Sequence, residues 1–172
     1  MAMRAKRKLM IVAGITVLSS IFGFLVLKSE NTIPFKTVSK GERLGYLNKD
    51  TMQSVYTILT NENELDYFLN KFGSHAKEII NFSEDDFKEY ILICAYFGYA
   101  PSTGYEIEIK KIIKRDKVAE IIIQFITSKY GETQLTNPYH IVKVRRNYFE
   151  NVGKFIFKDT NGRELYRVEI EI

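Results

Sequence analysis

The stretch of residues 89–144 limits the fold more than any other part of this chain. Residues 90–97, YILICAYF, form an almost unbroken apolar run. Side chains of a strand alternate between its two faces, so a run with neither set polar is the pattern of a strand covered on both sides. After a Pro-Ser-Thr-Gly turn, Tyr105, Ile107 and Ile109 alternate with Glu106, Glu108 and Lys110, which gives one buried and one wet face. Residues 118–126 are again mostly apolar, with Glu120 and Gln124 confined to one face, and residues 139–144 read as a further strand. Downstream, residues 155–157 and 165–170 flank Asn161-Gly162, the strongest hairpin signal in the chain. Upstream, residues 55–59, VYTIL, are β-prone.

One helix is legible between these strands. Asn61 is a capping residue with Glu64 three positions on, and Leu65, Phe68, Leu69 and Phe72 follow at helical spacing. Gly73 supplies a stop. The apolar stripe is expected to cover a sheet. Ser83 begins a short turn or a helical turn before Phe87, and the acids Glu84, Asp85 and Asp86 suit a helix N-terminus. Those acids lack the Asp-x-Asp-x-Asp-Gly spacing of a calcium loop. About six strands and one clear helix predict an α+β domain, mainly antiparallel β-sheet with one packed amphipathic helix.

Residues 9–27, LMIVAGITVLSSIFGFLVL, carry no ionisable side chain. As a helix they would span roughly 28 Å at 1.5 Å per residue, close to the ~30 Å hydrocarbon core of a bilayer. Arg4, Lys6, Arg7 and Lys8 precede them, which keeps the N-terminus in the cytoplasm and sends the rest outward. The expected location is therefore the cell membrane, with a single N-terminal transmembrane helix. Secretion after signal cleavage is the alternative, although Lys28-Ser29-Glu30 follows the run in place of an Ala-x-Ala site. The organisation predicted is an anchor over residues 1–28, a linker over 29–50, and an extracytoplasmic domain over 51–172.

The formal charge of +4 does not mark a nucleic-acid binder. Five of the 25 basic residues and none of the 21 acids lie in residues 1–28, which leaves 20 cations against 21 anions in the remainder. Cys94 is the single cysteine, so no internal disulfide forms, and its place inside the apolar run predicts a small buried hydrophobe.

Catalytic constellations are not evident. His75 and His140 are isolated, whereas zinc needs three or four ligands. Ser102 and Ser128 have no nucleophile-elbow context, and a structural role is expected for His140. There is no phosphate-cradling glycine loop and no dinucleotide fingerprint, so no metal or small-molecule cofactor is expected. The chain reads as non-catalytic.

The most distinctive local feature is the turn at Pro101, Ser102, Thr103 and Gly104, bracketed by Tyr99 and Tyr105. It is either a plain β-turn joining two strands or a stiff recognition loop, since preorganisation lowers the entropic cost of binding. A second polar loop ends at Asn137-Pro138-Tyr139. Tyr99, Pro101, Ser102, Thr103, Gly104, Tyr105, Pro138 and Tyr139 are the candidate partner-binding residues, provided the two loops share one end of the sheet.

Residues 102–109, STGYEIEI, and residues 134–143, QLTNPYHIVK, resemble in type and order the PrcB C-terminal domain of bacterial protease-complex subunits. The likeness spans a core of about residues 89–145. Thr103 stands where that family's first turn glycine is usual. The resemblance implies a non-catalytic accessory subunit of an exported or surface protease. Residues 101–105, PSTGY, are also similar to the inhibitory loop of chagasin-type cysteine-protease inhibitors, whose other two loops have no counterpart here. Protease inhibition and a structural envelope role are the alternatives to partner binding.

Overall fold

The computed structural model describes residues 31–45, 48–170 and 172. The membrane helix expected at residues 9–27, and the cations before it, lie outside the described residues. Among the described residues no helix is long and apolar enough to cross a membrane.

The strands form two sheets. One holds β1 (Asn31–Thr32), β5 (Tyr105–Arg115), β6 (Val118–Thr127), β8 (Lys154–Asp159) and β9 (Glu164–Glu169), in that spatial order. The other runs β2 (Lys36–Gly41), β7 (Tyr139–Arg145), β4 (Tyr90–Tyr96), β3 (Val55–Leu59). Every paired neighbour is antiparallel except β6 and β8, which run parallel. Three short helices, α1 (Glu62–Asn70), α2 (Ser74–Ile79) and α3 (Glu84–Glu89), separate β3 from β4. The fold is α+β and sheet-rich, with three α-helices among the described residues where one clear helix, and a turn or helical turn at Ser83, were expected.

The four-stranded sheet is the middle of three layers, and β4 shows why. Ile91, Ile93 and Ala95 enter one core, together with Ile107, Ile109 and Ile112 of β5, Ala119, Ile121 and Ile123 of β6, and Phe155 and Phe157 of β8. Leu92, Cys94 and Tyr96 point the other way, into a core closed by Leu65, Phe68 and Leu69 of α1, Ala76 of α2 and Phe87 of α3. β4 residues 91–96 are all fully buried, which accounts for the unpunctuated run in the sequence. Each such aliphatic side chain contributes about 1.5–3 kcal/mol of transfer free energy.

Local chemistry sets the helix ends. The Asn61 side chain accepts from the Glu64 N–H at 2.9 Å, as its spacing suggests. The Glu64 carboxylate reaches past Asn61 to the Thr60 N–H at 2.6 Å, so the capping box that the Asn61–Glu64 spacing predicts is displaced by one residue. The reciprocal arrangement occurs instead at α3, between Ser83 and Asp86. Gly73 follows α1 at φ 86 and is also the N-cap of α2.

The stretch expected as a tether is built into both sheets. β2 pairs with β7, and β1 pairs with β5 at Asn31↔Lys114 and Thr32↔Ile113. Ile33 is buried in the intersheet core. Short strands broken by Pro34 lack the sustained alternation that a sequence pattern requires. In β5 the doubled Lys110-Lys111 also breaks the alternation. A bulge there shifts the register from Ile109↔Ile123 to Lys111↔Ile122, so that Ile112 turns inward.

Burial at the middle layer sets a scale for substitutions. Ile93→Ala should lower unfolding free energy by about 2–5 kcal/mol, whereas Tyr166→Ala on the exposed β9 face should stay within about 0.5 kcal/mol. Urea titration of the two variants measures both.

Candidate functional site

Strand direction decides where the two candidate loops meet. β4 runs into residues 97–104, β5 starts from them, β6 runs into residues 128–138, and β7 starts from those. Because β4 and β7 pair antiparallel with Tyr96 opposite Tyr139, and β5 and β6 pair with Tyr105 opposite Thr127, both loops emerge at one end of the sandwich. The turn at Pro101 is therefore a crossing from one sheet to the other, not a hairpin within one sheet.

The loops are fastened to each other by backbone and side-chain bonds. Ala100 and Thr136 exchange two backbone hydrogen bonds, each of 2.9 Å. The Thr103 N–H donates to the Glu132 carbonyl at 3.2 Å, and the Glu132 N–H returns a bond to Thr103 Oγ1 at 2.9 Å. The Thr136 hydroxyl donates to the Ser102 carbonyl at 2.9 Å, and the Ser128 N–H to the Gly104 carbonyl at 2.7 Å. Two glycines allow this closeness. A Cβ on Gly104 would lie 2.8 Å from the Ser128 carbonyl oxygen, and one on Gly131 would lie 2.5 Å from the Gly104 nitrogen.

Asn137 ties in a third segment. Fully buried, it accepts from the Leu44 N–H at 2.9 Å through Oδ1 and donates to the Gly45 carbonyl at 2.9 Å through Nδ2. Its side chain thus pairs with backbone as a strand neighbour would. Tyr96 lies beneath, donating its hydroxyl to the Thr51 carbonyl at 2.7 Å, and burial pushes that phenol up to about 12.

The structure divides the candidate residues. Tyr99 is 41 % exposed and Pro101 is also exposed, while Ser102 and Thr103 are half-buried and spend their polar groups on the loop itself. Tyr105 is half-buried and meets Phe97 edge-on with centroids 5.7 Å apart. Gly104, Pro138 and Tyr139 are buried, so they cannot present a contact surface. Pro138 accepts from the Phe97 N–H at 2.8 Å, and the Tyr139 hydroxyl bonds Ser39 Oγ at 2.8 Å. Two apolar side chains that sequence reasoning did not single out stand exposed on the second loop, Tyr130 at 91 % and Leu135 at 52 %. The available signal was a bulky apolar residue in a polar stretch without strand or helix period. Met52, 55 % exposed, adjoins Tyr99, whose N–H donates to the Met52 carbonyl at 3.1 Å.

Both ring nitrogens of His140 are engaged between the sheets. Nδ1 accepts from the Ile109 N–H at 2.9 Å, which places the proton of the neutral ring on Nε2, 2.9 Å from Thr37 Oγ1. The ring bonds the backbone of β5 just before its bulge. Burial pushes the imidazole down to about 4, helped by Lys40 and opposed by Glu108. Lys40 in turn bridges Glu106 at 3.3 Å and Glu108 at 3.5 Å. His75 lies elsewhere, exposed and 3.8 Å from Glu78. Burial raises the Cys94 thiol, which suppresses the nucleophilic thiolate. Among the described residues no cluster of three metal-ligating side chains occurs.

Two consequences can be measured. Gly131→Ala should force the loops apart and cost about 1–3 kcal/mol, with exchange-protection loss concentrated at Thr103 and Glu132. For His140 the folded-state value lies below the ordinary 6.5, so the unfolded chain binds the extra proton between about 6.5 and 4. Stability from this group is complete above about pH 6.5 and declines toward pH 4, with a slope no steeper than about 1.4 kcal/mol per unit. His140→Asn keeps an acceptor for Ile109 without titrating. Its denaturation midpoint should be lower at neutral pH but flatter across that window.

No family model, no curated protein and no solved structure matches this chain.

Proposed function

We propose that the chain is a non-catalytic, membrane-anchored extracytoplasmic protein-binding domain, serving as an accessory subunit of an exported or surface protease. The observation that carries this reading is the loop cluster. Two loops fixed to each other by six hydrogen bonds expose Tyr99, Pro101, Tyr130 and Leu135 at one end of a rigid sandwich. Bound geometry is largely prepaid in such a surface, and tyrosines offer large contact area with few rotors. The apolar run of residues 9–27 supports the anchor, and the cations before it support an outward-facing domain. A protease as partner is suggested by the likeness of residues 102–109 and 134–143 to the PrcB C-terminal domain.

The test is co-purification of the full chain from native membranes, with the captured material probed by active-site-directed protease reagents. Wild-type chain should recover a protein that such a reagent labels. Replacing Tyr99, Tyr130 and Leu135 together by alanine should reduce that recovery at least about tenfold, as expected when central aromatic anchors are removed. Tyr166→Ala on β9 should leave it unchanged. Equal recovery by all three proteins would exclude the loop cluster as the contact surface.

A further inference from the structure

The strand directions that gather the loops at one end leave the opposite end to the entering chain and to a set of positive charges. β1 lies beside the tip of the β5–β6 hairpin, with Asn31 opposite Lys114. The tip is Arg115-Asp116-Lys117. Next to it, the ends of β2, β7 and β4 set Lys36 opposite Lys143 and Arg145 opposite Tyr90. Between Phe35, Tyr90 and Tyr148 runs a groove of about 220 Å³, with Lys36, Lys143 and Arg145 on its walls.

Part of this charge is answered within the domain. Arg145 pairs with Glu89 at 3.1 Å and Arg115 with Glu120 at 3.3 Å, and Lys143 acts electrostatically on Asp86. Uncharged groups orient two of the lysines. The Lys114 ammonium is held by the carbonyl oxygens of Tyr148 at 3.0 Å and Glu150 at 2.8 Å, which carry no net charge. Lys143 Nζ sits 4.7 Å over the Tyr90 ring. Lys36 and Lys117 are exposed, and Tyr148 is 37 % exposed at the mouth of the groove.

Chain length fixes what this end faces. The uncharged run ends at Leu27 and β1 begins at Asn31, a separation of at most about 14 Å even when fully extended. A spanning run therefore holds this end, and not the loop end, against the headgroups. We propose that the end formed by Lys36, Lys117, Lys143 and the Tyr90–Tyr148 groove docks on anionic phospholipid headgroups and stands the domain upright, loops outward. The proposal rests on the anchor reading above. Its chemistry is that of an interface: cations for lipid phosphates, with tyrosine and phenylalanine at headgroup depth. Each cation near an anionic leaflet contributes about a fivefold gain, so three of them suffice to favour one orientation strongly.

The test uses the full chain with nanodiscs of phosphatidylcholine alone, or of phosphatidylcholine mixed with phosphatidylglycerol. Disc retention and amide hydrogen exchange are read together. Retention by both discs, with residues 31–36 and 146–151 slowed about tenfold or more only in the anionic disc, supports the proposal. That slowing should vanish in Lys36→Gln/Lys117→Gln/Lys143→Gln and in strong salt, while Lys129→Gln at the loop end retains it. Retention by both discs with identical exchange overturns the docking surface and leaves the anchor standing. Retention by the anionic disc alone removes the anchor, and it upholds the surface if the same residues are slowed and overturns it if they are not. Retention by neither overturns both.

Discussion

Everything else in this structure depends on a sheet that is buried on both faces. β4 supplies Ile91, Ile93 and Ala95 to one core and Leu92, Cys94 and Tyr96 to the other. A strand in that position has no wet face, so its neighbours must supply the polar surface. The five-stranded sheet does so through Glu106, Glu108, Glu120 and Gln124, and the helices through the outward sides of α1 to α3. Hydrophobic burial of this kind is non-directional. Direction comes from the few buried polar groups, and among the described residues none of those side-chain atoms lacks a hydrogen-bond partner.

Two of those polar residues hold the layers and loops in register. His140 projects from β7 and bonds the backbone of β5, joining the sheets at the point where the bulge would otherwise leave an N–H facing an apolar core. Asn137, three residues before it, does the same for the 42–45 segment. A buried unpaired amide costs about 1–3 kcal/mol, so each side chain penalises any alternative register by a similar amount. The loop end is consequently an extension of the sandwich and not a set of independent excursions. On the proposed reading, that rigidity suits exposed Tyr99, Tyr130 and Leu135 to recognition.

Much of the fold was legible because its signals are local or periodic. The apolar run of β4, the alternation at residues 105–109, the Asn61 cap and the Asn161-Gly162 turn each state their structure within a few residues. The edge strands β1 and β2 were not legible, since their pairing partners lie far along the chain, at Ile113 and Lys114 for β1 and from Tyr139 to Lys143 for β2, and Pro34 interrupts any pattern. Nor could the sequence show that the Pro101 turn crosses between sheets, because two adjacent strands usually pair. For the candidate site, composition identified the two loops, but burial sorted their residues. Pro138 and Tyr139 look like contact residues in a string of letters, yet the antiparallel partner at Tyr96 places Tyr139 inside the helix-side core.

The claim on which the functional account turns is that the two loops are already assembled in the free protein. Amide hydrogen exchange of the unbound full chain at Ala100, Thr103, Ser128, Glu132 and Thr136 tests it most directly. Each of these N–H groups donates across or within the loop cluster, so the account predicts protection comparable to the ends of β5 and β6. Exchange at these five amides as fast as in an unstructured peptide would contradict it.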